Sequence, residues 1–240
     1  MEAIVIITEM PNWGFGNRVL YYYNLRQYAQ VNNYDFFCPP WDGYQHFLGN
    51  MVGNLDIRKP VEHLPPCLGE KFFWDSGIST REVFKLKQER HMTGNNCAVH
   101  FRGTDFFKWN ARAVLNKEYY LNAIDEVKGD TDGFILCCDD TNLESFKAVC
   151  KHLEQENIFY YVGENTHDRT KYIEDFTTMS QCDIIISSPS TYCISAGFIG
   201  KEKKIIHTKE WLDYRVEEDD KFWVDLYNGG NEDYKLWKMV

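Results

Sequence analysis

The chain has 240 residues, of which 44% are hydrophobic, and a formal net charge of −10. That is enough apolar material for one large core or two smaller ones. The acidic balance excludes a broad nucleic-acid footprint, because a phosphate backbone is held by clustered Lys and Arg. No stretch approaches the roughly 20 apolar residues of a membrane span. The N-terminal Met1-Glu2-Ala3-Ile4-Val5-Ile6-Ile7-Thr8 lacks the basic flank and apolar length of a signal peptide. A cytoplasmic location is therefore expected. Eight cysteines fit this reading. Most lie in or beside apolar runs, where a free thiol packs as a small hydrophobe, and no C-x-x-C pair suggests zinc.

In chain order, an apolar strand is predicted over 3–8. It leads through Glu9-Met10-Pro11-Asn12-Trp13 into Gly14-Phe15-Gly16-Asn17-Arg18 and a helix over 16–31. A short strand around Phe36-Phe37-Cys38 precedes Pro39-Pro40-Trp41, and no element is assigned from there to about 80. Residues 81–91 carry charge in the manner of a helix or linker, and Thr93-Gly94-Asn95-Asn96 breaks the chain before a strand at 97–101.

The second half is more regular. Helices at 117–128, 141–154, 170–181 and 190–199 alternate with strands at 133–138, 158–162, 183–187 and 204–207. Such alternation implies a parallel sheet covered by helices. The break near 90–96 divides the chain into an N-terminal α/β domain (1–92) and a Rossmann-like domain (93–210). The acidic, aromatic tail 211–240 is a candidate to pack back on the first domain.

Three places concentrate chemistry. Val99-His100-Phe101-Arg102-Gly103-Thr104-Asp105 puts a guanidinium at the carboxyl end of a buried strand, where open α/β sheets bind ligands. It can grip a phosphate with two parallel hydrogen bonds, or simply pair with Asp105. Asp139-Asp140 follows the apolar run 133–138. One aspartate is expected to cap the next helix, while the other can accept the N1–H and N2–H₂ donors of a guanine edge. Ser190 and Thr191, after Pro189, open a helix as caps, and the same geometry can hold an anion. Gly14 and Gly16 suggest a positive-φ turn, or a backbone thin enough for a phosphate to approach, and Asn17 suggests a helix cap. Asp130-Thr131-Asp132 has D-x-D spacing, but its Gly- and Asp-rich setting reads as a turn before a strand, so no metal site is assigned.

Together, Gly14-Phe15-Gly16-Asn17 with Pro39-Pro40-Trp41, His100-Phe101-Arg102-Gly103-Thr104-Asp105, and the stretch from Asp175 to Phe198 containing Ser188-Pro189-Ser190-Thr191-Tyr192 resemble the fucosyltransferase superfamily of α1,2-, α1,6- and protein O-fucosyltransferases. The first segment is most similar to the O-fucosyltransferase branch and the last to the α1,2 branch. The middle segment matches H-x-R-R-T/G-D with the second arginine replaced by Gly103.

The resemblance implies a compact GT-B-like glycosyltransferase of two Rossmann-like halves. It implies inverting transfer of L-fucose from GDP-fucose to a glycan or glycoconjugate hydroxyl, without a metal or other cofactor. Arg102, Asn17 and Asp105 are then the catalytic candidates. Gly14, Phe15, Gly16, His100, Asp139, Asp140, Ser190, Thr191 and Tyr192 are the donor-binding candidates, with His100 and Asp140 as guanine readers. A general base cannot be carried over, because the branch's glutamate position holds Asn110; Asp105, Glu9 and Asp42 are open. Arg18 or Lys108 could replace the missing second arginine.

Other readings stand beside this one. The donor could be another nucleotide sugar. The chain could be a non-catalytic sugar-binding module, with Trp13, Trp41, Trp74 and Trp109 as stacking platforms. Gly14-Phe15-Gly16-Asn17-Arg18-Val19 with Asp35 superficially matches a dinucleotide fingerprint and so an NAD(P)-dependent oxidoreductase.

Overall fold

The structure, a computed structural model, describes residues 3–64, 77–90, 92–166, 168–200, 203–217 and 237–239. Two compact units emerge. Among the described residues, the first runs to Gln88 and takes in Phe198–Gly200 and the residues from Arg215 to Glu217; the second runs from Glu89 to Gly197 and takes in 203–214 and the last strand.

The first unit holds β1 (Ile4–Ile6), α1 (Phe15–Asn32), β2 (Asp35–Phe37), α2 (Gly43–His46), β3 (Val61–His63) and α3 (Thr80–Val83). Its sheet has the order β2-β1-β3 and is parallel throughout. Helix α1 is buried on most of its circumference: Tyr21, Tyr22 and Tyr23 are consecutive and all sequestered. Buried phenols need acceptors, and those of Tyr21 and Tyr23 donate to the carbonyls of Leu64 and Ile78, at 3.2 and 2.7 Å. Asn33 ends the helix in the left-handed region at φ 53°, a conformation that asparagine tolerates. Trp41 lies in this core beside the rings of Phe15 and Tyr22, so it packs rather than presents a face to sugar.

The second unit follows as β4 (Asn96–Phe101), α4 (Phe106–Trp109), α5 (Lys117–Val127), β5 (Gly133–Cys138), α6 (Glu144–Gln155), β6 (Tyr160–Val162), α7 (Tyr172–Gln181), β7 (Ile184–Ile186), α8 (Thr191–Phe198), β8 (Lys204–His207), α9 (Lys209–Glu217) and β9 (Trp237–Met239). The strand order β6-β5-β4-β7-β8-β9 is parallel at every pairing. Counted from β4, this is the 3-2-1-4-5-6 order of a doubly wound Rossmann sheet, whose order reverses between β4 and β7. The α/β class, with two Rossmann-like halves built on parallel sheets, is thus present as expected. Of the tail 211–240, a candidate to pack on the first domain, the described residues Arg215 to Glu217 group with the first unit, while its end supplies β9 to the second sheet.

The period of two along each strand divides the second core between two faces. Cys97, Val99 and Phe101 of β4 share one face with Phe134, Leu136 and Cys138 of β5. They pack under Tyr120, Ile124 and Val127 of α5 and Phe146, Val149 and Leu153 of α6. Those helix positions recur every three or four residues, which is why α5 and α6 lie flat on the sheet. Asn116 starts α5 by accepting the Tyr119 N–H at 2.9 Å. Each such side chain, fully buried, contributes roughly 1.5–3 kcal/mol. The opposite face carries His100 and Cys137, and these must be satisfied by other means.

Candidate functional site

The carboxyl ends of β4, β5 and β6 border a pocket of about 640 Å³ lined by Arg102, Thr104, Asp105, Lys108, Asp139, Asn165 and Tyr172. Arg102 leaves β4 directly into it. Its guanidinium meets Asp105 at 2.8 Å and Asp139 at 3.2 Å, and lies 5.1 Å above the ring of Phe106. The two carboxylates differ in kind. Asp105 is 64% exposed, whereas Asp139 is 8% exposed. An exposed pair is worth little and an incoming anion can displace it, but the buried partner stays and aims the guanidinium.

Asp139 does more than pair. Its Oδ1 accepts the Gly103 N–H at 2.9 Å and its Oδ2 the Thr104 hydroxyl at 2.6 Å. One carboxylate at the end of β5 therefore shapes the loop that carries Arg102. Asp140 turns the chain instead: its Oδ1 accepts the Asn142 N–H at 2.9 Å. The pair divides its labour between organising the site and closing a turn. Gly103 also has a packing reason. A Cβ there would come within 2.6–3.0 Å of the buried Leu143 side chain, so the loop leaves no room for a second arginine. Of the two candidate replacements, Lys108 lines the pocket, while Arg18 is paired with Asp42 at 2.7 Å in the first unit.

His100, one residue before Phe101 on β4, points to the other face of the sheet. It is buried, its Nδ1 lies 2.7 Å from the Ser188 hydroxyl, and its ring sits 5.6 Å from that of Tyr192. Burial, and then the nearby charge of Arg102, push its pKa down to about 3, so the imidazole is neutral at physiological pH. Tyr192 in turn donates to the carbonyl of Tyr172 on the pocket wall. Ser190 is buried, and its carbonyl accepts the Ile194 N–H; Thr191 begins α8 at the carboxyl end of β7, across the switch point from Arg102.

The remaining wall was not foreseen. Asn165 and Tyr172 follow β6, which the sequence places at 158–162; a polar Gly163-Glu164-Asn165 at a strand's carboxyl end was the available signal. Asp175, on α7, secures this wall. Its carboxylate receives main-chain hydrogen bonds from Asn165 and Glu164, with the Cys137 thiol and the Arg90 charge nearby. Burial outweighs these partners and raises its pKa to about 6. A Cβ on Gly163 would lie 2.6 and 2.7 Å from the two Asp175 oxygens, so only glycine lets the carboxylate come so close to the chain.

Gly14, Phe15, Gly16 and Asn17 lie in the first unit, at the start of α1. The expected positive-φ turn is absent: Gly14 is the N-cap with φ −57°, and Gly16 belongs to the first turn of the helix. Asn17 is likewise inside the helix, not its cap, and its Oδ1 is buried without a hydrogen-bond partner. Nor does the dinucleotide fingerprint hold, because Asp35 opens β2 instead of following it and is paired with Lys59. Asp130-Thr131-Asp132 forms the turn before β5. Asp132 accepts the Asn95 N–H at 2.7 Å and Thr131 donates to the Asn95 carbonyl at 2.7 Å, at the end of β5 remote from the pocket. Among the described residues, no three His, Cys, Asp or Glu side chains converge as metal ligands, and seven cysteines are free thiols. Trp74 and Cys67 lie outside the described residues. No helix among them is long and apolar enough to cross a membrane.

No protein-family model and no curated protein matches this chain. Among solved structures it is similar to TibC, a bacterial iron-containing dodecameric glycosyltransferase from enterotoxigenic E. coli H10407. That likeness has 10% identity and a TM-score of 0.44, over 86% of this chain and 58% of the other. The chain thus spans little more than half the length of that protein.

Proposed function

We propose that this chain is an inverting, metal-independent glycosyltransferase that moves L-fucose from GDP-fucose to a hydroxyl of a glycan or glycoconjugate. The observation that carries the reading is the guanidinium of Arg102, held by the buried Asp139 at the strand ends of a pocket that also contains Lys108. The resemblance of the segments around Asn17, Arg102 and Ser190 to fucosyltransferases supports the donor.

On this reading the diphosphate displaces Asp105 from Arg102. As the bond from the sugar to the β-phosphate breaks, negative charge grows on the departing oxygen. Arg102 and Lys108 meet it at the strand ends, where fixed donors need no reorganisation as the charge develops. Asp105, released from its pair and 64% exposed, is the carboxylate of the pocket best able to take the acceptor's proton. Asp140 and His100 read the guanine, and Ser190, Thr191 and Tyr192 support the donor from the β7 side; Asn17 keeps the catalytic role that the resemblance implies for it.

The test is a donor panel. GDP-fucose, GDP-mannose and UDP-sugars are each incubated with mixed glycan acceptors, and nucleotide release and the anomeric form of the product are followed. The reading expects release from GDP-fucose coupled to an inverted glycoside. Turnover confined to a UDP-sugar would move the donor assignment, and tight nucleotide-sugar binding without turnover would mean a binding module.

A further inference from the structure

The pocket wall contributed by the loop after β6 holds a polar group that no protein atom satisfies. Asn165 lines the pocket, and its side-chain Oδ1 is buried without a hydrogen-bond partner. A buried acceptor left unpaired is costly, and this one stands beside a cavity from which a partner can reach it. The Asn165 main chain is not loose: it is hydrogen-bonded to the Asp175 carboxylate, which the absence of a side chain at Gly163 allows to sit against this loop. The amide is thus carried by a backbone held at a defined place. On the facing strand end, the Nε of Arg102 is also buried without a partner. One wall therefore lacks a donor and the other an acceptor.

A diphosphate satisfies only one of the two. Its oxygens accept hydrogen bonds and suit Arg102, but at neutral pH they have no proton to offer Asn165. With the amide oriented as it is in the structure, the group that meets the Asn165 Oδ1 is a donor, and the part of a nucleotide sugar that carries donors next to the diphosphate is a sugar ring. Resting on the proposed donor, we infer that Asn165 is a specificity-determining residue that accepts a hydrogen bond from a sugar hydroxyl adjoining the diphosphate, on the ribose or on the transferred hexose. Sites built to pair a hydroxyl discriminate against ligands that lack it, because the site's own polar group is then stranded.

Calorimetric titration of wild type, Asn165→Ala and Asn165→Ser with pyrophosphate, GDP and GDP-fucose tests this. The expected result is that Asn165→Ala leaves pyrophosphate affinity unchanged and weakens a sugar-bearing ligand about 3- to 10-fold, the scale of one hydrogen bond. Asn165→Ser, which keeps a short acceptor, recovers part of the loss. Weakening already present with GDP places the hydroxyl on ribose, and 2′,3′-dideoxy-GDP should then show no difference between wild type and variant. Weakening confined to GDP-fucose places it on the hexose. Equal loss for all three ligands would mean that Asn165 only shapes the pocket, and no loss for any would remove it from recognition; either overturns the inference. Wild-type protein that binds none of the three defeats the donor assignment itself, and the inference with it.

Discussion

The two ends of β5 both carry aspartates, and the fold gives them opposite work. Before the strand, Asp132 is spent on the Asn95 N–H and closes a turn. After it, Asp139 is buried against the pocket, where it accepts the Gly103 N–H and the Thr104 hydroxyl and aims Arg102. Residue type is the same; the end of the strand decides. In a parallel sheet the loops at the carboxyl ends flank the ligand crevice, while those at the amino ends close the fold. A carboxylate pair resembling a metal motif is therefore structural at one end, and at the other a pair resembling a helix cap includes the residue that organises a cation.

The largest effect belongs to Arg102, since one missing transition-state donor costs roughly 2.7–4 kcal/mol. Arg102→Ala, and also Arg102→Lys, which cannot bind bidentately, should lower turnover at least about 100-fold while thermal unfolding hardly moves. Near-normal rates for the lysine variant would reject the two-point grip.

Asp139→Asn comes next. It keeps the shape but loses the charge that holds Arg102 and the loop, so both kcat and urea-unfolding stability should fall by about 1–3 kcal/mol each, the scale of charge-assisted hydrogen bonds. Loss of stability with unchanged kcat would reduce Asp139 to a fold residue. Asp140→Ala separates the neighbours: GDP affinity should drop by about 1.5–3 kcal/mol with pyrophosphate affinity intact if its carboxylate reads guanine. A drop of the same size for both ligands would leave it only the turn with Asn142. Smallest are Asp130→Asn and Asp132→Asn. Transfer should be unaffected, and only Asp132→Asn should lower stability, by about 0.5–1.5 kcal/mol for its bond to Asn95. Lost activity in either would erase the contrast between the strand's ends.

Strands β5 and β8 were the most legible elements, with limits of 133–138 and 204–207 in sequence and in structure; for β5 an unbroken apolar run sits between a glycine and a polar pair. Arg102, Asp105 and Asp139 were likewise readable, since a charged residue just after such a run must emerge at a strand end. Less could be read in the short elements. Strand β3 is only Val61–His63, too short to show alternation, and α4 is a single turn, Phe106–Trp109, without helical period. Gly14 and Gly16 suggested a bent loop, whereas α1 absorbs Gly16 into its first turn. Asn165 had no motif around it. Its place on the pocket follows from the β6 register and from the Asp175 carboxylate, 10 residues further along a chain that folds back.

The most direct test is the transfer rate of the wild-type protein with GDP-fucose and a competent acceptor in saturating EDTA, then with Mg²⁺ or Mn²⁺ restored. If Arg102 bears the charge of the departing diphosphate, the rate is unchanged by either step. If chelation abolishes transfer and added metal restores it, a cation bears that charge, and the role given to Arg102 and its Asp139 support is contradicted.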